Sequence, residues 1–133
     1  MSSIFSKIVA GDIPAHVVAE TTEFLAFLDV NPLVMGHVLV IPKKEIDYIF
    51  DMDDESYFGL TLFAKIVANG LKEAFPCKKI GVAVIGLEVP HVHIHLIPMN
   101  HVNDMNFSLP KLSPTQEALE EAAAKIKACL RED

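Results

Sequence analysis

The chain has 133 residues, 51% of them apolar and 22% charged, with a formal charge of −7. That length supports one domain with its own core, and the mix excludes a disordered or low-complexity scaffold. The acidic balance argues against a general nucleic-acid surface, so any anionic substrate has to be held by local donors against an unfavourable global field.

No apolar run reaches the ~18–20 residues of a membrane span, and no membrane partner is expected. The opening MSSIFSKIVAGDIP lacks the pattern of a secretory signal. Cys77 and Cys129 have no metal-motif spacing and are too few for a disulfide framework. Two reduced thiols in a cytoplasmic protein is the expectation.

Residues 3–9 read as a short amphipathic helix capped by Ser3 and stopped by Gly11. Extended runs follow at His16–Ala19, at Phe24–Asp29 and over HVLVIP, which ends at Pro42. Short connections make an antiparallel meander the cheapest pairing. From Asp53 to Ala74 the period becomes helical, with Phe58, Leu62, Ile66 and Leu71 as the stripe, widened by Phe63 and Val67. The acidic cluster Asp47, Asp51, Asp53, Asp54 and Glu55 reads as a solvated helix entrance, because no partner motif accompanies it. Strands are predicted at Lys79–Ile85 and Val92–Pro98. A last helix spans Ser113–Arg131, with Ser113 as cap, Pro114 at its first position and Glu117 closing a capping box. The sum is an α+β domain over residues 1–133: a five-stranded antiparallel sheet, a long central helix, a short N-terminal helix and a C-terminal helix.

The chemistry concentrates in His91-Val92-His93-Ile94-His95. In a strand, alternate side chains share a face, so the three imidazoles line up while Val92, Ile94 and Leu96 face the core. One buried histidine is ordinary; three in register would each need hydrogen-bond partners. Zinc is one reading. The outer two Cβ atoms would lie about 13 Å apart, too far for all three to share an ion. A metal would need two of them plus His37 or His101. The other reading is nucleophilic attack on phosphorus. A neutral imidazole attacks through one nitrogen while an acceptor holds the other as N–H, and flanking rings donate to the phosphoryl oxygens. His93, with a histidine on either side, is the natural nucleophile.

HVHIHLI matches the His-φ-His-φ-His-φ-φ signature (φ apolar) of the histidine triad (HIT) family. The run IFSKIVAGDIPAHVVAETTEFLAFLDVNPLVMGHVLVIPKKEI resembles the opening half of its Hint-type members. The resemblance implies a nucleotide hydrolase or nucleotidyl transferase that passes through a covalent nucleotidyl-histidine. It implies nucleoside 5′-phosphoramidates, dinucleoside polyphosphates or related adenylates as purine nucleotide substrates, no required cofactor, and a homodimer with the long helix at the interface. His93 is similar to the family's nucleophile, and His95 and His37 to the residues around the α-phosphate. His91 resembles the supporting first member of the triad, and Asp29 the acidic residue on the ribose hydroxyls. Phe5, Ile8, Phe27 and Val30 resemble the clamp around the base; without the family they would be read as ordinary core. Asp29 alone would equally serve as a turn residue before Asn31-Pro32.

The chain departs from the family pattern just before the triad. Gly86-Leu87-Glu88-Val89-Pro90-His91 stands where many members carry Gly-Gln-Ser/Thr-Val-x-His. Gly86 keeps a backbone N–H that can approach a phosphate. Leu87 cannot hydrogen-bond a leaving atom, and Glu88 places an anion in the nucleotide-binding segment. Two alternatives to the enzyme follow: a nucleotide-binding module with little turnover, and a histidine-ligated metalloprotein.

Overall fold

The computed structural model describes residues 2–130. Its elements in chain order are α1 (Ile4–Val9), β1 (Val17–Glu20), β2 (Phe24–Leu28), β3 (Val38–Pro42), α2 (Asp54–Ala74), β4 (Lys79–Ala83), β5 (Ile94–Met99) and α3 (Gln116–Cys129). Short 3₁₀ turns at Ile49–Asp51 and Val102–Met105, which the sequence pattern does not signal, join them. All strand pairs are antiparallel, in the order β1-β2-β3-β5-β4. The predicted meander holds for the first three strands, and β5 then inserts between β3 and β4.

The sheet is covered on both faces, which is why β2 and β3 are buried at every position. Ala26, Leu28, Val38, Val40, Ile94 and Leu96 face one way, into a core shared with α2 and α3. Leu25, Phe27, Leu39 and Ile41 face the other way and pack under Phe5 of α1. His95 pairs with Leu39, itself paired with Phe27, so its side chain belongs to this second face.

Asp53 caps α2 by accepting from the Ser56 N–H at 3.2 Å, and Asp54 and Glu55 follow in the first turn, where carboxylates complement the helix dipole. The acidic entrance is thus accounted for locally. The helix stops at Phe75, because the residue before Pro76 is pushed out of the helical region. Its buried face corrects the predicted stripe. Leu60, Phe63, Ala64, Val67, Leu71 and Ala74 face the core, while Phe58, Leu62 and Ile66 are 64%, 59% and 54% exposed. Both faces of α2 are apolar, so periodicity alone could not choose between them. Shape chooses: a Cβ on Gly59 would stand 2.9 Å from the Phe24 ring, so the glycine is what lets α2 settle on that ring.

Three further expectations move. Helix α3 begins at Gln116, and its cap is Thr115, whose hydroxyl accepts from the Ala118 N–H at 3.1 Å. Ser113 and Pro114 lie outside the helix, where the preceding residue is tied to the β2–β3 loop by the Leu112 N–H on the Pro32 carbonyl (2.9 Å). The predicted end at Arg131 lies outside the described residues. Strand β4 ends at Ala83 rather than Ile85. Strand β5 begins at Ile94, so His91 and His93 precede the ladder. Their stretch is held instead by the Val92 N–H on the Ile46 carbonyl (2.7 Å) and the His91 N–H on that of Val89 (2.8 Å). Alternation survives: Val92, Ile94 and Leu96 enter the core and the three imidazoles take the other face.

Candidate active site

All three triad histidines and His37 are buried, between 0% and 8% exposed, and no buried side-chain nitrogen or oxygen among the described residues lacks a partner. Their tautomers follow from what the partners can do, since a backbone carbonyl can only accept and a backbone N–H can only donate.

His93 Nδ1 lies 2.7 Å from the His91 carbonyl, so Nδ1 carries the proton. Nε2 is left with a free lone pair. Phe5 meets this ring edge-on at 4.9 Å, and His95 meets it at 5.0 Å. His93 also borders a cleft of about 320 Å³, but Tyr57, Thr61, Val82, Val92 and Ile94 line it as well, so it opens mainly on the α2 side of the sheet and not on the imidazole face. The middle ring is held with Nδ1 as the donor, the arrangement a nucleophile at phosphorus requires.

His37 Nδ1 accepts from the Leu33 N–H at 3.1 Å, so its proton sits on Nε2. Nε2 donates to His95 Nδ1 at 2.9 Å, which leaves His95 with Nε2–H as a free donor. A chain of two imidazoles thus fixes the donor face of His95, the group suited to a phosphoryl oxygen. Both rings stay neutral. Burial pushes His37 down to about 3, helped by the adjacent His95, and pushes His95 down to about 4. The 3.8 Å approach of His37 Nε2 to Asp29 Oδ2 is accordingly a contact between a neutral ring and a carboxylate, not an ion pair.

His91 has no free donor. Its Nε2–H donates to the Pro42 carbonyl at 2.8 Å, and Nδ1 accepts from Ser3 Oγ at 2.7 Å. Burial lowers its pKa, although the bond to Pro42 opposes the shift. Its backbone carbonyl is the group that holds His93 Nδ1. Ser3 does two jobs: it caps α1 by accepting from the Ser6 N–H, and it fixes His91. Glu45 Oε1 completes the knot, accepting from the Ser3 N–H and the Ser6 hydroxyl, both at 2.7 Å. These bonds hold the Glu45 carboxyl below its usual range. The sequence pattern marks Ser3 as a cap but gives no signal for Glu45 or for the Leu33 N–H.

Asp29 follows β2. Its Oδ1 accepts from the Asn31 N–H at 2.9 Å, so the turn role is real. The other oxygen remains at the edge of the site, on a side chain 24% exposed. Burial raises this carboxyl, against the Asn31 bond and the His93 ring. Of the predicted clamp, Phe5 and Phe27 touch at 5.6 Å and belong to the second core cluster, with Ile8 packed against it. Val30 stands 49% exposed. Gly86, at φ +68°, occupies the left-handed region that favours glycine, and it lines the cleft. Glu88 is exposed and is not among the cleft's lining residues, and Leu87 is 90% exposed. Two residues beyond the sequence reading complete the surroundings. Phe107 packs edge-on against His95 at 4.9 Å, and the field of Lys111 reaches Asp29 and His37.

One group of metal-type ligands forms among the described residues: Asp29, His37 and His95, with ligand atoms within 4.8 Å of one another. The donor set does not fit a divalent ion. The Leu33 N–H occupies the lone pair of His37 Nδ1, so coordination through Nε2 would demand an imidazolate. Metal-bound histidines ordinarily donate their second N–H instead. His101, the other candidate, lies outside this group.

A family model for the HIT domain matches residues 10–102, and the chain belongs to this family. The chain is 38% identical over 133 residues to the adenosine 5′-monophosphoramidase hnt1 of Schizosaccharomyces pombe, a match covering 96% of this chain and all of that protein. Among solved structures, a Hit-like protein of Bartonella henselae superposes with a TM-score of 0.84 at 34% identity, covering 97% of each chain. A zinc-bound histidine triad protein of Mycobacterium smegmatis gives 0.83 at 29% identity, covering 98% of this chain and 94% of that one.

Proposed function

We propose that this protein is a nucleotide hydrolase or nucleotidyl transferase, acting on a purine nucleoside 5′-phosphoramidate or a related adenylate through a covalent adduct on His93. The observation that carries the reading is the 2.7 Å bond from His93 Nδ1–H to the His91 carbonyl, which leaves Nε2 as the ring nitrogen available for attack. The relative named as an adenosine 5′-monophosphoramidase supports the choice of substrate class.

In this reading Nε2 attacks the α-phosphorus. A P–N bond to the imidazole forms, and the bond to the leaving group breaks. An amine leaving group departs with that electron pair and takes its proton from solvent. The His91 carbonyl stabilises the positive charge on the phosphoryl-imidazole, and His95 Nε2–H donates to a non-bridging oxygen. Water then attacks phosphorus and returns the electron pair to Nε2. Asp29 accepts from the ribose hydroxyls, and Phe5, Ile8, Phe27 and Val30 border the base. No cofactor is required, because neutral donors and backbone carbonyls supply the electrostatics.

Replacing His93 with Gly should abolish turnover of adenosine 5′-monophosphoramidate while AMP still binds. Unchanged turnover would sink the assignment. A binding module with little turnover is the second reading, favoured by Leu87, which points into solvent where a hydrogen-bonding residue would serve the leaving group. A single-turnover assay with α-labelled substrate separates the two, since a pure binder leaves no label on the protein.

The whole chain is read as one catalytic domain that pairs as a homodimer. The exposed stripe Phe58, Leu62 and Ile66 lies beside the edge strand β4, whose Val82 is 63% exposed. Tyr57 and Thr61 of α2 line the same cleft as Val82, which makes helix and edge strand one continuous apolar surface. A second copy related by a two-fold axis would cover both. A cytoplasmic setting suits the two free cysteines. No described helix is long and apolar enough to cross a membrane.

A further inference from the structure

The histidine array presents a charge problem to a nucleotide. His37 and His95 are held neutral, so they can donate hydrogen bonds but cannot neutralise a phosphate dianion. The chain carries a net charge of −7, and Asp29 adds an anion at the edge of the same site. A positive group elsewhere in the fold would add what neutral donors cannot.

The segment Asn106–Leu112, between the second 3₁₀ turn and α3, is built for this. Its first end is folded by Asn106, whose Oδ1 accepts from the N–H and hydroxyl of Ser108 and whose carbonyl accepts from the Leu109 N–H. Its far end is tied to the β2–β3 loop through the Leu112 N–H on the Pro32 carbonyl. Between the two, Phe107 lies against His95 at 4.9 Å and His37 at 6.3 Å. The Lys111 ammonium is fixed to this same stretch, donating to the carbonyls of Phe107 at 2.5 Å and Leu109 at 3.2 Å. An ammonium has three donors, so one is left over.

We propose that this strap is the phosphate-side wall of the nucleotide site, with Lys111 Nζ as its anion-binding group and Phe107 as the residue that positions it against His95. The ligand class is the 5′-phosphate of a nucleoside monophosphate unit, so the proposal rests on the nucleotide reading above. Two bonds to its own loop hold the ammonium before substrate arrives, which lowers the entropy cost of recruiting a long side chain. Lys111 is exposed, so its contribution is screened by salt.

Isothermal titration of AMP and of adenosine into wild type, Lys111→Gln and Lys111→Arg tests this. Lys111→Gln should weaken AMP by about fivefold to tenfold, the size of one charge-assisted contact at a wet site, and leave adenosine unchanged. Lys111→Arg should recover most of the loss, because the charge is kept. The AMP affinity of wild type should fall more steeply with added salt than that of Lys111→Gln. An unchanged ratio of AMP to adenosine affinity in Lys111→Gln, whether both weaken or neither does, would reduce Lys111 to a loop brace and overturn the proposal. Absence of AMP binding by wild type would instead overturn the nucleotide reading, and the strap assignment with it.

Discussion

Replacing His37 with leucine probes the relay that fixes His95. The substitution keeps a buried side chain of similar bulk but removes two hydrogen bonds, one from the Leu33 N–H at 3.1 Å and one to His95 Nδ1 at 2.9 Å. Each buried group left without a partner costs about 1–3 kcal/mol. Leucine returns part of this through apolar burial, so a net loss of about 2–4 kcal/mol follows. For a chain of this length that lowers Tm by roughly 6–15 °C. Activity should fall further than stability implies. Without a donor on its Nδ1, His95 is free to hold its proton there and turn a lone pair toward the phosphate, so kcat should drop about 10- to 100-fold. Glutamine is the informative control. Its amide oxygen can accept from Leu33 and its NH₂ can donate to His95, so His37→Gln should recover most of both losses. Urea unfolding and steady-state turnover of adenosine 5′-monophosphoramidate read the two effects. A leucine variant as stable and active as wild type would refute the relay, as would a glutamine variant no better than leucine.

The same imidazoles give a pH signature with a definite sign. Their folded pKa values, about 3 for His37 and about 4 for His95, lie below the ordinary 6.5, so below that pH the unfolded chain binds more protons than the folded one. Their stabilisation is complete above pH 6.5 and is lost as pH falls from there toward 4 and then 3. Each can contribute on the order of 2–4 kcal/mol across that window. Urea midpoints measured from pH 7.5 to 4.5 should fall steadily below pH 6.5, and less in His37→Gln; a flat profile would show that these rings are not held neutral. On the opposite face, Leu62→Glu places a charge in the centre of the exposed α2 stripe. It should convert a dimer to a monomer in sedimentation while changing Tm of the monomer little. A wild-type protein that already sediments as a monomer would discard the two-fold pairing.

Much of this protein was legible in order. The alternation of His91, His93 and His95 against Val92, Ile94 and Leu96 put the imidazoles on one face, and that arrangement survives even though β5 begins only at Ile94. Strand count, the span of α2 and the Ser3 cap of α1 were equally local matters, set by apolar period, proline breaks and capping side chains. The face that α2 buries was not legible. Its sequence offers two apolar stripes, and the choice depends on Phe24 fitting over Gly59, a contact 35 positions apart in the chain. The cap of α3 likewise lies at Thr115 and not Ser113, just after Leu112 is tied to a distant carbonyl, that of Pro32.

Sequence by itself determined which chemistry was on offer, because side-chain type and a two-residue period are properties of neighbours along the chain. Only the tertiary structure decided what each imidazole does. A neutral histidine has two equivalent-looking nitrogens, and the choice between them is made by whatever lies within about 3 Å. The His91 carbonyl frees His93 Nε2, the Leu33 N–H begins the relay that turns His95 into a donor, and Ser3 with the Pro42 carbonyl removes His91 from the chemistry. Of these partners, only Leu33 and His91 are near in sequence to the rings they fix. Phe107 likewise meets His95 from 12 positions along the chain, in a segment whose far end is tied to Pro32.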